Sequence, residues 1–156
     1  RYIVRADGPV ALLLTRQDVP VLAGSTDHDA VARGAYVLAD PDGDPDVVLI
    51  GTGSEVAVAL DAAATLTAAG RSVRVVSMPC TELFAEQPDG YRASVLPAGI
   101  PRVSVEAGVT FGWARWAGMS IGIDRFGTSA PGEQAMAGLG ITPAAVVAAA
   151  ESLLET

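Results

Sequence analysis

The chain has 156 residues, half of them apolar and 18% charged, with a formal net charge of −8. That length suits one domain with a substantial core, and that composition is globular rather than disordered. All ten basic residues are arginine, scattered without a run, which disfavours nucleic acid as a partner because phosphate backbones need clustered cations. The single cysteine, Cys80, excludes an intramolecular disulfide, and one histidine, His28, argues against a His/Cys metal site. No run of about 18 apolar residues and no signal-peptide pattern is read, so a soluble, cytoplasmic protein without a membrane partner is expected. The opening Arg1-Tyr2-Ile3-Val4 reads as the end of a helix in a piece of something longer.

In chain order, residues 10–14 are a continuous apolar run after Asp7-Gly8-Pro9 and predict a short buried strand. Residues 18–33 are polar, broken by Pro20 and Gly24, and read as a linker with a domain boundary near residue 25. From there strand and helix alternate. Strands are predicted at residues 34–39, 47–50, 73–77, 102–105 and 120–123. Ser54 is the candidate N-cap of a helix with Val56, Leu60, Ala63, Ala64 and Thr67 on one face, stopped by Gly70. Short helical turns follow around Glu82 and over residues 91–95, and a short helix is predicted over 110–117. Pro131 opens another helix. Thr142-Pro143 starts the last one, with an apolar stripe of Val146, Val147, Ala150, Leu153 and Leu154. Such alternation implies a mostly parallel sheet with helices on both faces.

Four groups are candidates for chemistry. Gly51, Thr52, Gly53 and Ser54 join a strand to a helix, where free N–H groups can receive an anion. A dinucleotide reading fails, because Val56 stands where a third small residue should be and no acid closes the next strand. Glu106 and Asp124 follow two strand ends and could act as an acid/base pair, or simply satisfy neighbouring N–H groups. Ser54 lacks the glycine two positions on that a nucleophile elbow needs, and Cys80 would need His28 as its base. Arg16 carries a planar guanidinium suited to a phosphate, or to a structural role at a strand end.

Several blocks then resemble one family. Residues 14–20 (Leu-Thr-Arg-Gln-Asp-Val-Pro) resemble the Leu-Ser-Arg-Gln-Asn-x-Pro signature of transketolases. GAYVL at 34–38, DVVLIGTGSEV at 46–56, RVVSMPCTEL at 74–83, YRASVLP at 91–97, RVSVEAGVTFGW at 102–113 and IGIDRFGTSAPGE at 121–133 follow in the family's order. Cys80 stands where a serine is more usual, and the connection from Trp113 to Ile121 is short for the family.

The resemblance implies an α/β fold: a three-layer α/β/α sandwich on a five-stranded mixed sheet, order 1-3-2-4-5, first strand antiparallel. It makes residues 1–24 the tail of a pyrimidine-binding middle domain and residues 25–156 the C-terminal domain. The parent would be a homodimer that transfers two-carbon ketol units between sugar phosphates, using thiamine diphosphate and a divalent metal, Mg or Ca. None of that cofactor set is expected on this chain, whose partners would be the enzyme's remaining domains. The resemblance gives Arg16 the role of binding the substrate phosphate and leaves no catalytic residue here. A small-molecule or anion effector module at Gly51, Thr52, Gly53 and Ser54 is the alternative; against it, Glu106 is expected to reach that turn and fill its anion niche itself.

Overall fold

The computed structural model describes residues 7–22 and 28–155, without the side chain of His28. The chain opening read as a helix end and the boundary expected near residue 25 both lie outside the described residues.

Five strands form one sheet: β1 (Tyr36–Ala39), β2 (Val47–Gly51), β3 (Val73–Ser77), β4 (Arg102–Val105) and β5 (Met119–Ile121). Their order is β1-β3-β2-β4-β5, as the resemblance implies. β1 runs antiparallel to β3, pairing Tyr36 with Ser77; every other pairing is parallel, with Gly51 opposite both Ser77 and Val105. Each residue of the central β2 is buried, as its unbroken apolar run requires when helices cover both faces.

The two-residue period of that strand divides the core. Val47 and Leu49 join the cluster packed by α2 (Glu55–Ala68) and α6 (Pro143–Leu154), through Leu66, Val146 and Ala150. Val48 and Ile50 face the opposite cluster, built from Phe84 of α3 (Thr81–Ala85), Val95 of α4 (Asp89–Val95), Trp113 and Trp116. Helices α1 (His28–Ala32) and α5 (Gly132–Leu139) complete the described elements. At the head of α6, Thr142 is extended, its hydroxyl accepts from Ala145 N at 3.2 Å, and Pro143 takes the first turn.

Several expectations are corrected. Residues 10–14 form no strand: Leu12, Leu13 and Leu14 are exposed and the segment makes no ladder. An apolar run becomes a strand only where a neighbouring strand takes its N–H and C=O groups, and the five-stranded sheet is paired without it. Within the expected linker, residues 28–32 are helical. The buried face of α2 is Val56, Ala59, Ala62, Ala63 and Leu66, while Ala64 and Thr67 are exposed. In a helix of alanines the period is faint, and the bulky Leu66 decides the rotation. Between residues 110 and 117 only a 3₁₀ turn (Trp113–Arg115) forms, after Gly112 at φ +97°. A 3₁₀ turn eclipses positions three apart, which puts both Trp113 and Trp116 into the core. β5 ends at Ile121, and Gly122 beyond it lies against the loop after β4; a Cβ there would sit 2.7 Å from Thr110 Cγ2. Finally, Gly132–Leu154 is long and apolar enough on average to cross a membrane. It is two helices, broken at Gly140 (φ +84°), and α6 packs on the sheet.

Candidate functional site

The carboxyl ends of β2, β4 and β5 bring together the turn after Gly51, the loop after Val105 and the loop after Ile121. This is the edge where open parallel sheets place ligands. Gly51 is required at the first turn: a Cβ would lie 2.7 Å from Val56 Cα, so strand and helix meet here rather than at a third glycine. Gly53 is left-handed at φ +57°.

The turn does not end in the cap expected of Ser54. That residue is helical (φ −64°, ψ −28°) and makes no side-chain cap, because capping geometry needs an extended backbone. Three successive N–H groups, of Glu55, Val56 and Ala57, are taken by the carbonyls of Thr52, Gly53 and Ser54 at 3.2, 3.5 and 3.3 Å.

The acid that reaches the turn is Glu55, not Glu106. Glu55 is 5% exposed; its Oε1 accepts the Ser54 hydroxyl at 2.7 Å and its Oε2 accepts Ala107 N at 3.2 Å. One carboxylate therefore joins the β2 turn to the β4 loop. Glu106 instead accepts the indole N–H of Trp113 at 2.7 Å, an arrangement made possible by the 3₁₀ turn that carries the tryptophan inward. The expected contact of Glu106 with the niche is thus replaced by a nearer competitor, one residue beyond Ser54. A serine followed by glutamate at a strand-to-helix turn was the available signal.

Asp124 is engaged separately, accepting Thr110 N at 2.8 Å and the Thr110 hydroxyl at 2.7 Å, while Ile123 N donates to Gly108 O at 2.7 Å. Glu106 and Asp124 are each occupied by their own donors, and Arg125 donates to Gly138 O rather than to an acid. The Thr110 backbone N–H, then its hydroxyl, holds the Asp124 carboxyl below the usual carboxylate range. A carboxyl whose pKa is lower folded than unfolded stabilises above its unfolded value, about 3.9. That contribution is lost as pH falls through the lower, folded value. The Thr110 amide resonance should therefore hold its hydrogen-bonded shift down to about pH 4 and change only below it. Asp124→Asn should remove that transition; a midpoint above the unfolded value would contradict this account of the clip.

The remaining candidates lie elsewhere. Cys80 precedes α3, and its thiol donates to Glu82 Oε2 at 3.5 Å, beside Thr81 Oγ1 at 3.1 Å. The Glu82 backbone, then Thr81, then Cys80 lower the Glu82 pKa. The His28 side chain, proposed base for Cys80, lies outside the described residues. Arg16 is exposed in the irregular segment 7–22, where Gln17 N donates to Thr15 Oγ1 at 3.2 Å. Among the described residues no group of three or more His, Cys, Asp or Glu side chains is placed to hold a metal ion.

Comparison with known proteins gives the family. The family described as "Transketolase-like TK C-terminal domain" matches residues 34–142. Transketolase 7 of Craterostigma plantagineum is 49% identical over 97% of this chain, and the chromosomal transketolase of Cupriavidus necator 52% identical over 97%; this chain spans 23% of each. Among solved structures, a transketolase from Leishmania mexicana superposes with a TM-score of 0.85 at 45% identity, over 90% of this chain and 20% of that one. A Pichia stipitis transketolase complexed with sedoheptulose 7-phosphate does so with a TM-score of 0.84 at 35% identity, over the same shares. With the sheet order, the turn glycines and the family match all in agreement, this chain belongs to the transketolase C-terminal domain family.

Proposed function

We propose that this chain is the structural and assembly domain at the C-terminal end of a cytoplasmic, homodimeric transketolase. The whole enzyme would move two-carbon ketol units between ketose and aldose phosphates, as in the pentose phosphate pathway. One observation carries this reading: transketolases match the chain almost from end to end, yet the chain spans only 23% of their length. The chemistry then belongs to the other three-quarters. Thiamine diphosphate needs a divalent metal at its diphosphate and a carboxylate on its pyrimidine ring, and among the described residues no three His, Cys, Asp or Glu side chains come together to hold such a metal. The cofactor is therefore assigned to the partner domains of the same polypeptide, with residues 1–24 as the tail of the nearest.

Arg16 is the residue of this chain given a direct part, holding the substrate phosphate with groups from those domains. It is exposed, with its guanidinium available for a bidentate contact. In the full-length enzyme, Arg16→Ala should raise KM for phosphorylated substrates roughly 10- to 100-fold, a charge-assisted contact being worth about 1.5–3 kcal/mol. KM for short unphosphorylated substrates should hardly move. Equal losses on both would remove Arg16 from the phosphate site. The chain alone should show no ketol transfer in a coupled assay and no calorimetric binding of thiamine diphosphate with magnesium. Turnover that scales with its concentration would place catalytic apparatus here and sink the division of labour.

A further inference from the structure

Away from the carboxyl edge, three arginines from three elements meet at one cleft of about 320 Å³. Arg92 comes from α4, Arg102 opens β4, and Arg115 ends the 3₁₀ turn. The rings of Phe84 and Trp116, 5.2 Å apart between centroids and both buried, make a rigid apolar wall. Asp89 is the sole carboxylate among the lining residues. It pairs with Arg92, but its side chain is 93% exposed, so water screens the pair strongly. Arg92 also donates to Ala85 O at 3.1 Å.

The other two cations have no acid. Arg102 donates to the carbonyls of Leu96, Pro97 and Trp116 at 3.3, 2.9 and 3.5 Å, and its Nε is buried without a partner. Burial pulls its pKa down from the ordinary arginine value, the mark of a charge taken partly out of water with no acid beside it. Arg115 is exposed and lies 4.7 Å over the Trp116 ring, which fixes its plane at the cleft while its N–H donors make no hydrogen bond among the described residues. Three positive charges thus face one screened negative charge, on a chain whose net charge is −8. An uncompensated cationic cleft on an acidic molecule concentrates anions, and a dianion matches the excess.

We propose that this cleft binds a small phosphate monoester, its phosphoryl group on the guanidinium face of Arg92, Arg102 and Arg115 and its organic body against Trp116. The volume lies at the lower end of the small-ligand range, about 300–1,000 Å³, which suits a compact ligand. Arg115 supplies donors held at the cleft by its stacking on Trp116, and Arg92 those left by Ala85 O and the screened Asp89; Arg102 supplies a fixed charge, since its own bonds tie it to the backbone. The site is independent of Arg16 and of ketol transfer, so it stands or falls apart from the proposed enzyme role.

The test is a titration of the ¹⁵N-labelled chain, at constant ionic strength, with inorganic phosphate and with glycerol 3-phosphate, glycerol serving as the neutral control. The expected result is saturable shifts at the Trp116 indole N–H and the Arg92 and Arg115 Nε–H resonances, with tighter binding of glycerol 3-phosphate than of phosphate and none of glycerol. Arg115→Ala should weaken binding roughly tenfold or more, and so should Arg92→Gln, which guards against misfolding of either variant. Arg71→Ala, at an exposed arginine outside the cleft, should bind as the parent chain does. Shifts that do not saturate, that spread over all arginines, or that survive both cleft substitutions unchanged would overturn the site.

Discussion

Gly34→Ala is expected to destabilise the domain by more than about 3 kcal/mol, the sum of a backbone term and a clash term. Gly34 sits at φ +84° between α1 and β1, with its carbonyl accepting Cys80 N at 3.0 Å. A Cβ there would stand 2.4 Å from both Cys80 O and Phe84 N, and 2.8 Å from Leu83 Cβ. Two of those atoms are backbone at the head of α3, so no rotamer change relieves them. Nor can α3 retreat easily, because Phe84 is wholly buried between Tyr91 and Trp116, at ring distances of 6.3 and 5.2 Å. Gly43→Ala isolates the backbone term: it too is left-handed, φ +107°, but its Cβ would meet nothing within 4 Å. That variant should lose only about 1–2 kcal/mol. Urea unfolding of both, followed by circular dichroism, measures the difference. If the two variants lose the same amount, α3 slides freely and the tight docking at Gly34 is an incorrect account of that layer.

Where local chemistry decides structure, the sequence was readable. Residues 73–77 and 102–105 are strands at the bounds their apolar runs indicate, and Thr142-Pro143 caps the last helix as written. The order of the strands was not readable in this way. Periodicity marks a buried strand but does not name its neighbours, and the order with its antiparallel first strand followed from resemblance to a family. Residues 10–14 show the converse: their apolar run is as strong as that of β2, yet without a neighbouring ladder they remain irregular. The partner of Glu106 was not readable for a related reason. Glu106 was placed correctly at a strand end, but the 3₁₀ turn that delivers the Trp113 indole to it depends on burying two tryptophans at once. The arginine cleft was hidden because Arg92, Arg102 and Arg115 are spread over 24 positions and converge only through packing.

Glu55→Ala should cost about 3 kcal/mol, an unusual sum for one side chain beside a surface turn. The reason is that its carboxylate is 5% exposed and holds two donors from different parts of the chain. Ser54 Oγ donates at 2.7 Å from its own turn, and Ala107 N donates at 3.2 Å from the loop that follows β4. β2 and β4 are adjacent in the sheet, with Gly51 opposite Val105, so the side chain clips the two strand ends just where the ladder stops. Each bond to a charged acceptor contributes about 1.5 kcal/mol or more, and truncation leaves the Ala107 N–H without its partner. The position in the first turn of α2 adds a smaller favourable interaction with the helix dipole. Glu55→Gln distinguishes the bonds from the volume: the amide fills the same space but has one acceptor oxygen, so it keeps one of the two donors. Its loss should be about half that of alanine. Amide exchange at Ala107 should quicken in Glu55→Ala, while Val48 within β2 changes only with global stability. Were Glu55→Gln nearly without cost, shape would matter more than the paired donors. Were Ala107 exchange unchanged in Glu55→Ala, the carboxylate would not be what joins the two loops.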